Sequence, residues 1–500
     1  MGAMSKQFPE KQFTTVSWLP PLFSQPGRDF AVYSIMNPPA CLCLLGSAVL
    51  GGWAGMAGAA EQPNIVVIVT DDQGHADIGL NPARKPEVST PHMDSLAAEG
   101  IFFHNGYISG NVCSPSRLGL MTGRYQQRFG VYTGGEGGRG IDPSVPLFPA
   151  FLKPSGYTCG AFGKWHLGVE PRHHPLERGF DKFYGFLGRG GHSYFNLGEG
   201  IYRDRNVIQD EGYLTDRLSD EASAFIRQNK DGPFFLYLAY NAVHSPPEAP
   251  KKDIDHIRDE FPGLSESRAT LMAMLRRLDD GVGRVVKTLK DEGAWENTLL
   301  FFLTDNGGAP KMDADCSPLR GHKHENFEGG IRTPFIVTWP RKFPGGGRSD
   351  IPASSLDILP TSLDAAGIAP PAKSPPFDGK SLLPVIEGKV ERLHDALFWS
   401  EGGAKGCWAV RDAEGWKAVT TVDRKSGTQK TELFQLANDP AEAKDLAARE
   451  PDKVRELTGL YEAWLEQMAE PMHGGSKRWN PERVATRKKD KKKKAAEEED

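Results

Sequence analysis

Four short runs constrain this chain more than any other feature: NIVVIVT at 64–70, PFFLYLAY at 233–240, TLLFFLT at 298–304 and FIVTW at 335–339. Each is of strand length, nearly continuous in apolar residues and rich in Val, Ile, Leu or Phe. Such runs read as strands covered on both faces. Between them lie stretches of helical period, MDSLAAEG at 93–100, TDRLSDEASAFIRQN at 215–229 and SRATLMAMLRRLDDGVGRVVKTLKDEG at 267–293. Strands alternating with helices predict an α/β sandwich, a large and mostly parallel central sheet flanked by helices. With 500 residues, 39% of them hydrophobic, the chain can bury such a core and carry more than one domain.

After Leu383 the texture changes. ALFWS, CWAVRD, GWKAVTT and ELFQL are shorter and more polar, separated by turn residues, and DKVRELTGLYEAWLEQM at 452–468 has one apolar stripe. They predict a smaller C-terminal subdomain, a short antiparallel sheet packed by a helix. At the other end, ACLCLLGSAVLGGWAGMAGAA at 40–60 is apolar, uncharged and closed by Ala57-Gly58-Ala59. It reads as a secretory signal cleaved near Ala59, and the protein is expected to be exported. Its many glycines make it weakly hydrophobic, so stable membrane insertion is not expected. Arg28 is the nearest positive charge upstream, and Met36 is a second candidate start. The tail ATRKKDKKKKAAEEED is a basic block followed by an acidic one, expected to be solvated and disordered. The predicted organisation is therefore an extension and signal at 1–60, a main domain at 61–388, a C-terminal subdomain at 389–470 and a charged tail at 471–500. A formal net charge of −5 gives no argument for a nucleic-acid partner. The six cysteines have no disulfide-framework spacing.

Two predicted strands end in acids: 64–70 leads into Asp71-Asp72, and 298–304 into Asp305-Asn306-Gly307-Gly308. Ligands of open α/β sheets sit outside the carboxyl ends of the strands. One such tip alone is most simply a solvated turn. Two together offer four oxygen side chains, a fair cage for a hard divalent cation, Ca²⁺ or Mg²⁺.

NVCSPSRLGLMTGR at 111–124 places Pro115 in the first turn of a helix and Cys113 at or just before its N-cap. Free N–H groups and the helix dipole favour anionic atoms there, and Arg117 adds a charge one turn on. A thiol so placed is expected to be acidic and reactive; the bland alternative is a buried structural cysteine. CSPLR at 316–320 repeats Cys-x-Pro-x-Arg, but only Cys113 is followed by Leu-x-Met-Thr-Gly-Arg. Three basic segments complete the set. GKWHLG offers Lys164 and His166, on one side of an extended chain. NAVHSPPE puts His244 at a strand exit, and LRGHKHENFEGGIRTP carries His322, Lys323 and His324 between glycines. Singly, each is a surface residue as readily as a functional one. Together with a cation and a helix N-terminus they predict a pocket for a tetrahedral oxyanion.

In chain order, CSPSRLGLMTGR, GYTCGAFGKWHLG, LTDNGG and LRGHKHENFEGGIRTP resemble the landmarks of the type I, formylglycine-dependent sulfatases of the alkaline phosphatase superfamily. ELFQLANDPAEAKDLA at 432–447 resembles that family's C-terminal signature, and the likeness runs from about Asn64 to Met468. Cys159 and Phe162 are unusual choices that bear on packing. The resemblance implies an alkaline-phosphatase-like fold and an arylsulfatase-like hydrolase that releases inorganic sulfate from a sulfated carbohydrate or aryl sulfate. It implies that a formylglycine-generating enzyme oxidises Cys113 to formylglycine, whose hydrate attacks with one hydroxyl and expels the product with the other. Asp71, Asp72, Asp305, Asn306 and residue 113 would hold the cation, usually Ca²⁺, with Mg²⁺ possible. Lys164 and Lys323 would hold sulfate oxygens, His244 would protonate the departing alcohol, His166 would serve as base, and Arg117 would orient the nucleophile. The rivals are a phosphonate or phosphate diester hydrolase of the same superfamily and a glycan-binding pseudoenzyme. PRHHPLERGF at 171–180 and GRGGHSYFNLGEG at 188–200 are expected to shape the subsite beside the sulfate, with Arg189 and His192 as candidate sugar contacts.

Overall fold

The computed structural model describes residues 62–472 apart from 189 and 424. The expected signal segment, Arg189 and the charged tail beyond Met472 lie outside the described residues. All four apolar runs are strands of one ten-stranded sheet. Its members are β1 (Asn64–Thr70), β2 (Ile101–Phe103), β3 (Thr158–Lys164), β4 (Lys182–Phe186), β5 (Ile201–Arg203), β6 (Asn206–Ile208), β7 (Phe234–Ala239), β8 (Thr298–Thr304), β9 (Phe335–Thr338) and β10 (Gly347–Ser349). In space they run β10-β2-β9-β8-β1-β7-β3-β4-β5-β6. The central five, β8 to β4, are parallel. FIVTW departs from that direction: β9 runs antiparallel to β8, pairing Phe335 with Leu303.

Alternation along β1 shows why its run is apolar throughout. Ile65, Val67 and Val69 join one core and Val66 and Ile68 the other. The second core is closed by α1 (Pro91–Ala98), α3 (Leu214–Asn229) and α4 (Glu266–Asp291); the first is closed by α2 (Cys113–Thr122) and α5 (Ile358–Ala365). A side chain facing solvent on either side would forfeit roughly 1.5–3 kcal/mol of burial. Among the described residues no helix is long and apolar enough to cross a membrane.

The register positions the chemistry. β1 and β8 run in step from Asn64 opposite Thr298 to Thr70 opposite Thr304, so Asp71 and Asp305 leave the sheet at one level. Backbone bonds knit these tips together: Asp305 N–H donates to Thr70 O (3.0 Å), Asp71 N–H to Ala242 O (2.9 Å) and Val243 N–H to Asp71 O (2.8 Å).

The C-terminal residues form a four-stranded antiparallel meander, β11 (Ala396–Glu401), β12 (Cys407–Asp412), β13 (Trp416–Val422) and β14 (Gln429–Gln435), followed by α6 (Pro451–Leu465). One face takes α6, with Tyr461 stacked on Trp408 at 4.3 Å between ring centres. The other covers Tyr107, Phe327 and Ile331. Beneath it Lys417 is fully buried, its Nζ 2.8 Å from Glu328 Oε1 and 2.9 Å from Glu442 Oε1. The segment that follows Lys323 is thus packed and charge-paired against the C-terminal sheet.

Candidate active site

Asp71, Asp72, Asp305 and Asn306 are all buried at the carboxyl edge of the sheet. Asp72 has a φ of 62°, which turns the chain back so that its N–H faces Asp305 Oδ1 at 3.4 Å. Asn306 Nδ2 donates to Asp72 Oδ1 at 2.7 Å. Ligand atoms of Asp71, Asp305 and Cys113 lie within 4.8 Å of one another, as do those of Asp71, Asp72 and His244. Two oxygens of this cluster, Asp71 Oδ1 and Asn306 Oδ1, are buried without a hydrogen-bond partner. Leaving such an acceptor unsatisfied costs about 1–3 kcal/mol. Clustered hard oxygens, two of them unpartnered, fit a divalent cation such as Ca²⁺ or Mg²⁺. Burial pushes Asp71 up, but Lys164, His244 and Arg117 outweigh it and hold the carboxyl below its ordinary range.

α2 begins one residue earlier than its proline suggests. Val112 is the N-cap and Cys113 the first helical residue. The expected acidic thiol is not found: burial pushes Cys113 up, and Asp305 and Asp71 oppose the help of Lys164 and Lys323. As an unmodified thiol it is a weak nucleophile. Arg117 points beneath the acids instead of at the sulfur. Its Nε and Nη2 both donate to Asp305 Oδ2, at 2.9 and 2.7 Å, and Nη1 donates to the Lys164 carbonyl at 3.0 Å.

Lys164 ends β3, and its buried Nζ lies 2.5 Å from Asp71 Oδ2. His166 does not continue that strand; at a φ of 56° it turns out of the extended path, yet it too is buried here. Its Nδ1 has no partner, and burial followed by the charges of Lys164, Arg117 and Lys323 keeps the ring neutral. His244 Nδ1 lies 2.7 Å from the Ser245 carbonyl, so that nitrogen carries the proton and Nε2 faces Asp72 Oδ2 at 3.6 Å. Lys323 Nζ reaches both oxygens of Asp72, at 2.6 and 2.8 Å. Burial works against its charge, but Asp72, Cys113, Asp71 and Asp305 raise it above the ordinary lysine range.

The predicted residues Asp71, Asp72, Cys113, Arg117, Lys164, His166, His244, Asp305, Asn306 and Lys323 therefore meet in one place. His192 is held differently. Its ring nitrogens lie 2.8 Å from Ser193 O and 2.6 Å from Glu199 O, and its own carbonyl accepts from Asn241 Nδ2, so the ring braces its loop. Cys316 is buried beside backbone of His75 and Gly308, in neither of the two ligand groups, and burial pushes its thiol up to about 11. The sequence reading missed several supports. Asn111 Nδ2 donates to Asn326 Oδ1 (2.8 Å) and lies 3.4 Å from Glu401 Oε2, while its carbonyl accepts from His324 N–H. Tyr237 of β7 faces Arg117. Gly191 packs on the His244 ring, where a Cβ would come within 2.6 Å of Nδ1. Asn111 and Asn326 lie inside quoted motifs, but nothing in the sequence marks Glu401.

Comparison with known proteins agrees with this geometry. Residues 63–368 match the family model Sulfatase, and residues 322–470 match the model N-sulphoglucosamine sulphohydrolase, C-terminal. The N-acetylgalactosamine-6-sulfatase of Homo sapiens is 33% identical over 444 residues, covering 78% of this chain and 82% of that protein. That of Rattus norvegicus is 37% identical over 441 residues, covering 77% and 82%. Among solved structures, Ps i-CgsB in complex with k-i-k-neocarrahexaose superposes with a TM-score of 0.76 at 33% identity, covering 82% of this chain and 94% of that one.

Proposed function

Because the chain belongs to the sulfatase family of the alkaline phosphatase superfamily, we propose that it releases inorganic sulfate from a sulfated saccharide, with Cys113 matured to formylglycine and a divalent cation as cofactor. One observation carries the reading: Asp71, Asp305 and Cys113 converge under Lys164 and Lys323, with His166 and His244 beside them. The saccharide is supported by the relatives, one named N-acetylgalactosamine-6-sulfatase and another solved in complex with k-i-k-neocarrahexaose.

Asp71, Asp72, Asp305, Asn306 and residue 113 would hold the cation, preferably Ca²⁺, which supplies Lewis acidity at the sulfuryl oxygen and at the nucleophile. Formylglycine at position 113 would supply, as its hydrate, two hydroxyls, one nucleophilic toward sulfur and one whose deprotonation releases sulfate. The chain's own groups do the rest. Lys164 and Lys323 face the acids from two sides and neutralise charge building on the sulfate oxygens. His244 directs Nε2 into the pocket and, when protonated, gives its proton to the leaving alcohol oxygen. His166, kept neutral, accepts the proton from the second hydroxyl. Arg117 fixes Asp305 and thereby the floor of the site. Export through the segment ending near Ala59, and maturation by a formylglycine-generating enzyme on the way, belong to the same reading. So does the division into a catalytic domain at 61–388 and a C-terminal subdomain at 389–470.

The test is the full chain produced with a formylglycine-generating enzyme. Sulfate release is measured on defined sulfated saccharides beside phosphate and phosphonate diesters, and the peptide bearing residue 113 is weighed by mass spectrometry. Formylglycine at 113 with sulfate release is expected, and Cys113→Ala should be folded and inert. A thiol at 113 in an active preparation, or preference for the diesters, would overturn the proposal. Formylglycine at Cys316 would reassign the nucleophile.

A further inference from the structure

One ring of the cluster is set up for more than proton transfer. His244 Nδ1 donates to the Ser245 carbonyl at 2.7 Å, so Nε2 carries a bare lone pair whenever the ring is neutral. Gly191 packs on the ring, where a Cβ would stand 2.6 Å from Nδ1, and this contact fixes the direction of Nε2. That nitrogen faces Asp72 Oδ2 at 3.6 Å, beyond hydrogen-bond reach. One ligand atom from each of Asp71, Asp72 and His244 lies within 4.8 Å of the other two. A lone pair turned toward two carboxylates is repelled unless a positive charge stands between them.

Spacing and donor type say which charge fits. A shared proton does not span 3.6 Å. Two ligands of a tetrahedral metal, each about 2.1 Å from it, stand roughly 3.4 Å apart, close to the separation found here. Ca²⁺ takes oxygen ligands, whereas imidazole suits Zn²⁺ and its transition-metal neighbours. A histidine that ligates a metal almost always donates its other N–H to a carboxylate or a carbonyl, as His244 does to Ser245. The acids have oxygens to give. Asp71 Oδ1 has no partner, while Oδ2 keeps Lys164 at 2.5 Å and Arg117 at 3.5 Å. Asp72 would exchange Lys323, which reaches both its oxygens, for the metal and keep Asn306 Nδ2 on Oδ1.

We propose that Asp71, Asp72 and His244 Nε2 bind a divalent transition metal such as Zn²⁺, which displaces Ca²⁺ and holds the enzyme inactive. Both ions use Asp71 and Asp72, so each excludes the other. The effect on turnover rests on the proposed sulfatase reading: the metal takes the lone pair that would otherwise carry a proton to the leaving alcohol. The binding site itself does not rest on that reading.

The experiment takes the matured full chain, demetallated, as wild type, His244→Ala and His244→Gln. Dissociation constants for Zn²⁺ and for Ca²⁺ are measured by competition with a chelating dye. Loss of an outer partner of a ligand already costs about 10–100-fold in metal affinity, so loss of the imidazole should weaken Zn²⁺ about a hundredfold. Ca²⁺ should bind all three proteins within threefold, which also shows that the variants are folded. Equal Zn²⁺ affinity in the three proteins, or parallel losses of Zn²⁺ and Ca²⁺, would overturn the site. On an aryl sulfate, Zn²⁺ should inhibit the wild type and added Ca²⁺ should relieve it; full turnover with Zn²⁺ bound would overturn the inhibitory role. Metal binding is read without substrate. A chain that holds Zn²⁺ through His244 but releases no sulfate would therefore refute the sulfatase reading and leave the site standing.

Discussion

Replacing Lys417 by Met removes one ammonium from a site with no access to water. The wild-type ion sits between Glu328 Oε1 at 2.8 Å and Glu442 Oε1 at 2.9 Å, all three side chains 0% exposed. Glu328 keeps other partners, since its Oε2 accepts from Tyr107 at 2.8 Å and faces Arg332. Glu442 keeps only the Glu328 N–H, at 2.7 Å. Breaking a buried pair from one side costs about 3–5 kcal/mol, because a charge is left behind. Unfolding entropy near 2.1 cal/mol/K per residue over roughly 400 residues is roughly 0.85 kcal/mol/K, so the melting temperature should fall by about 4–6 °C.

The loss should depend on pH. Burial already raises the Glu442 carboxyl to about 7 in the folded protein, against Lys417 and with Glu328 adding to it. A carboxyl raised on folding gives stability that is complete below its unfolded pKa and lost as pH climbs through the folded one. Without Lys417 the folded value moves higher, so the part of the deficit owed to Glu442 should be small at pH 5 and clearly larger at pH 8, still growing above it. Glu442→Gln added to Lys417→Met should restore most of the melting temperature, because the unpaired charge is gone. Activity should respond as well: Glu328 opens the short helix whose Gly330 carbonyl accepts from Gly307 N–H, beside Asn306. The assay is thermal denaturation at pH 5 and 8 with sulfate release measured well below the transition. A shift under about 1 °C, an equal shift at both pH values, or a double variant worse than the single one would refute the reasoning.

Three further outcomes follow from the site. Thorough chelation or Asp305→Ala should abolish sulfate release, and full activity after demetallation would remove the cation from the mechanism. His244→Ala should slow alkyl sulfates at least tenfold more than activated aryl sulfates, which need little protonation on departure; equal losses would assign the acid elsewhere. Lys323 is then the next candidate, although Asp72 holds its proton tightly. Gly191→Ala would set a Cβ 2.0 Å from Ser245 O and 2.6 Å from His244 Nδ1, so it should copy the His244→Ala leaving-group pattern in a folded protein; wild-type kinetics would show that the loop yields freely.

Of the interior strands, β1, β7, β8 and β9 were legible because they are buried on both faces and so need no polar alternation, whereas β3, interrupted by Gly160 and Gly163, and β4 were not. The edges were not. β2, β5, β6 and β10 have three residues each, too few to show a period. The direction of β9 was equally hidden, since a buried antiparallel strand has the composition of a parallel one. Among the site residues, those carrying the chemistry stand in dense local motifs, whereas their supports are long-range: Glu401 and Asn111 are 290 residues apart. The error over Cys113 has the same origin. Sequence displays the helix start and Arg117, but the burial that dominates the thiol, and the engagement of Arg117 by Asp305, exist only once β1 and β8 are in register.

That register also bears on how the proposed sulfate ester would enter. Three carboxylates, Asp71, Asp72 and Asp305, face three fixed cations, Arg117, Lys164 and Lys323, so the buried charges cancel. A sulfate monoester entering this neutral arrangement would leave net negative charge where water is scarce, which is costly. It would also compete with Asp71 and Asp72 for the two lysines. A divalent cation held by the carboxylates would reverse both effects: the total would become positive, and the acids would no longer need the ammonium groups. Lys164 and Lys323 would then be free to face sulfate oxygens, as proposed. On this account their pairing with Asp71 and Asp72 and their proposed service to substrate are two uses of the same charges, and sulfate affinity should depend on the cation as strongly as turnover does.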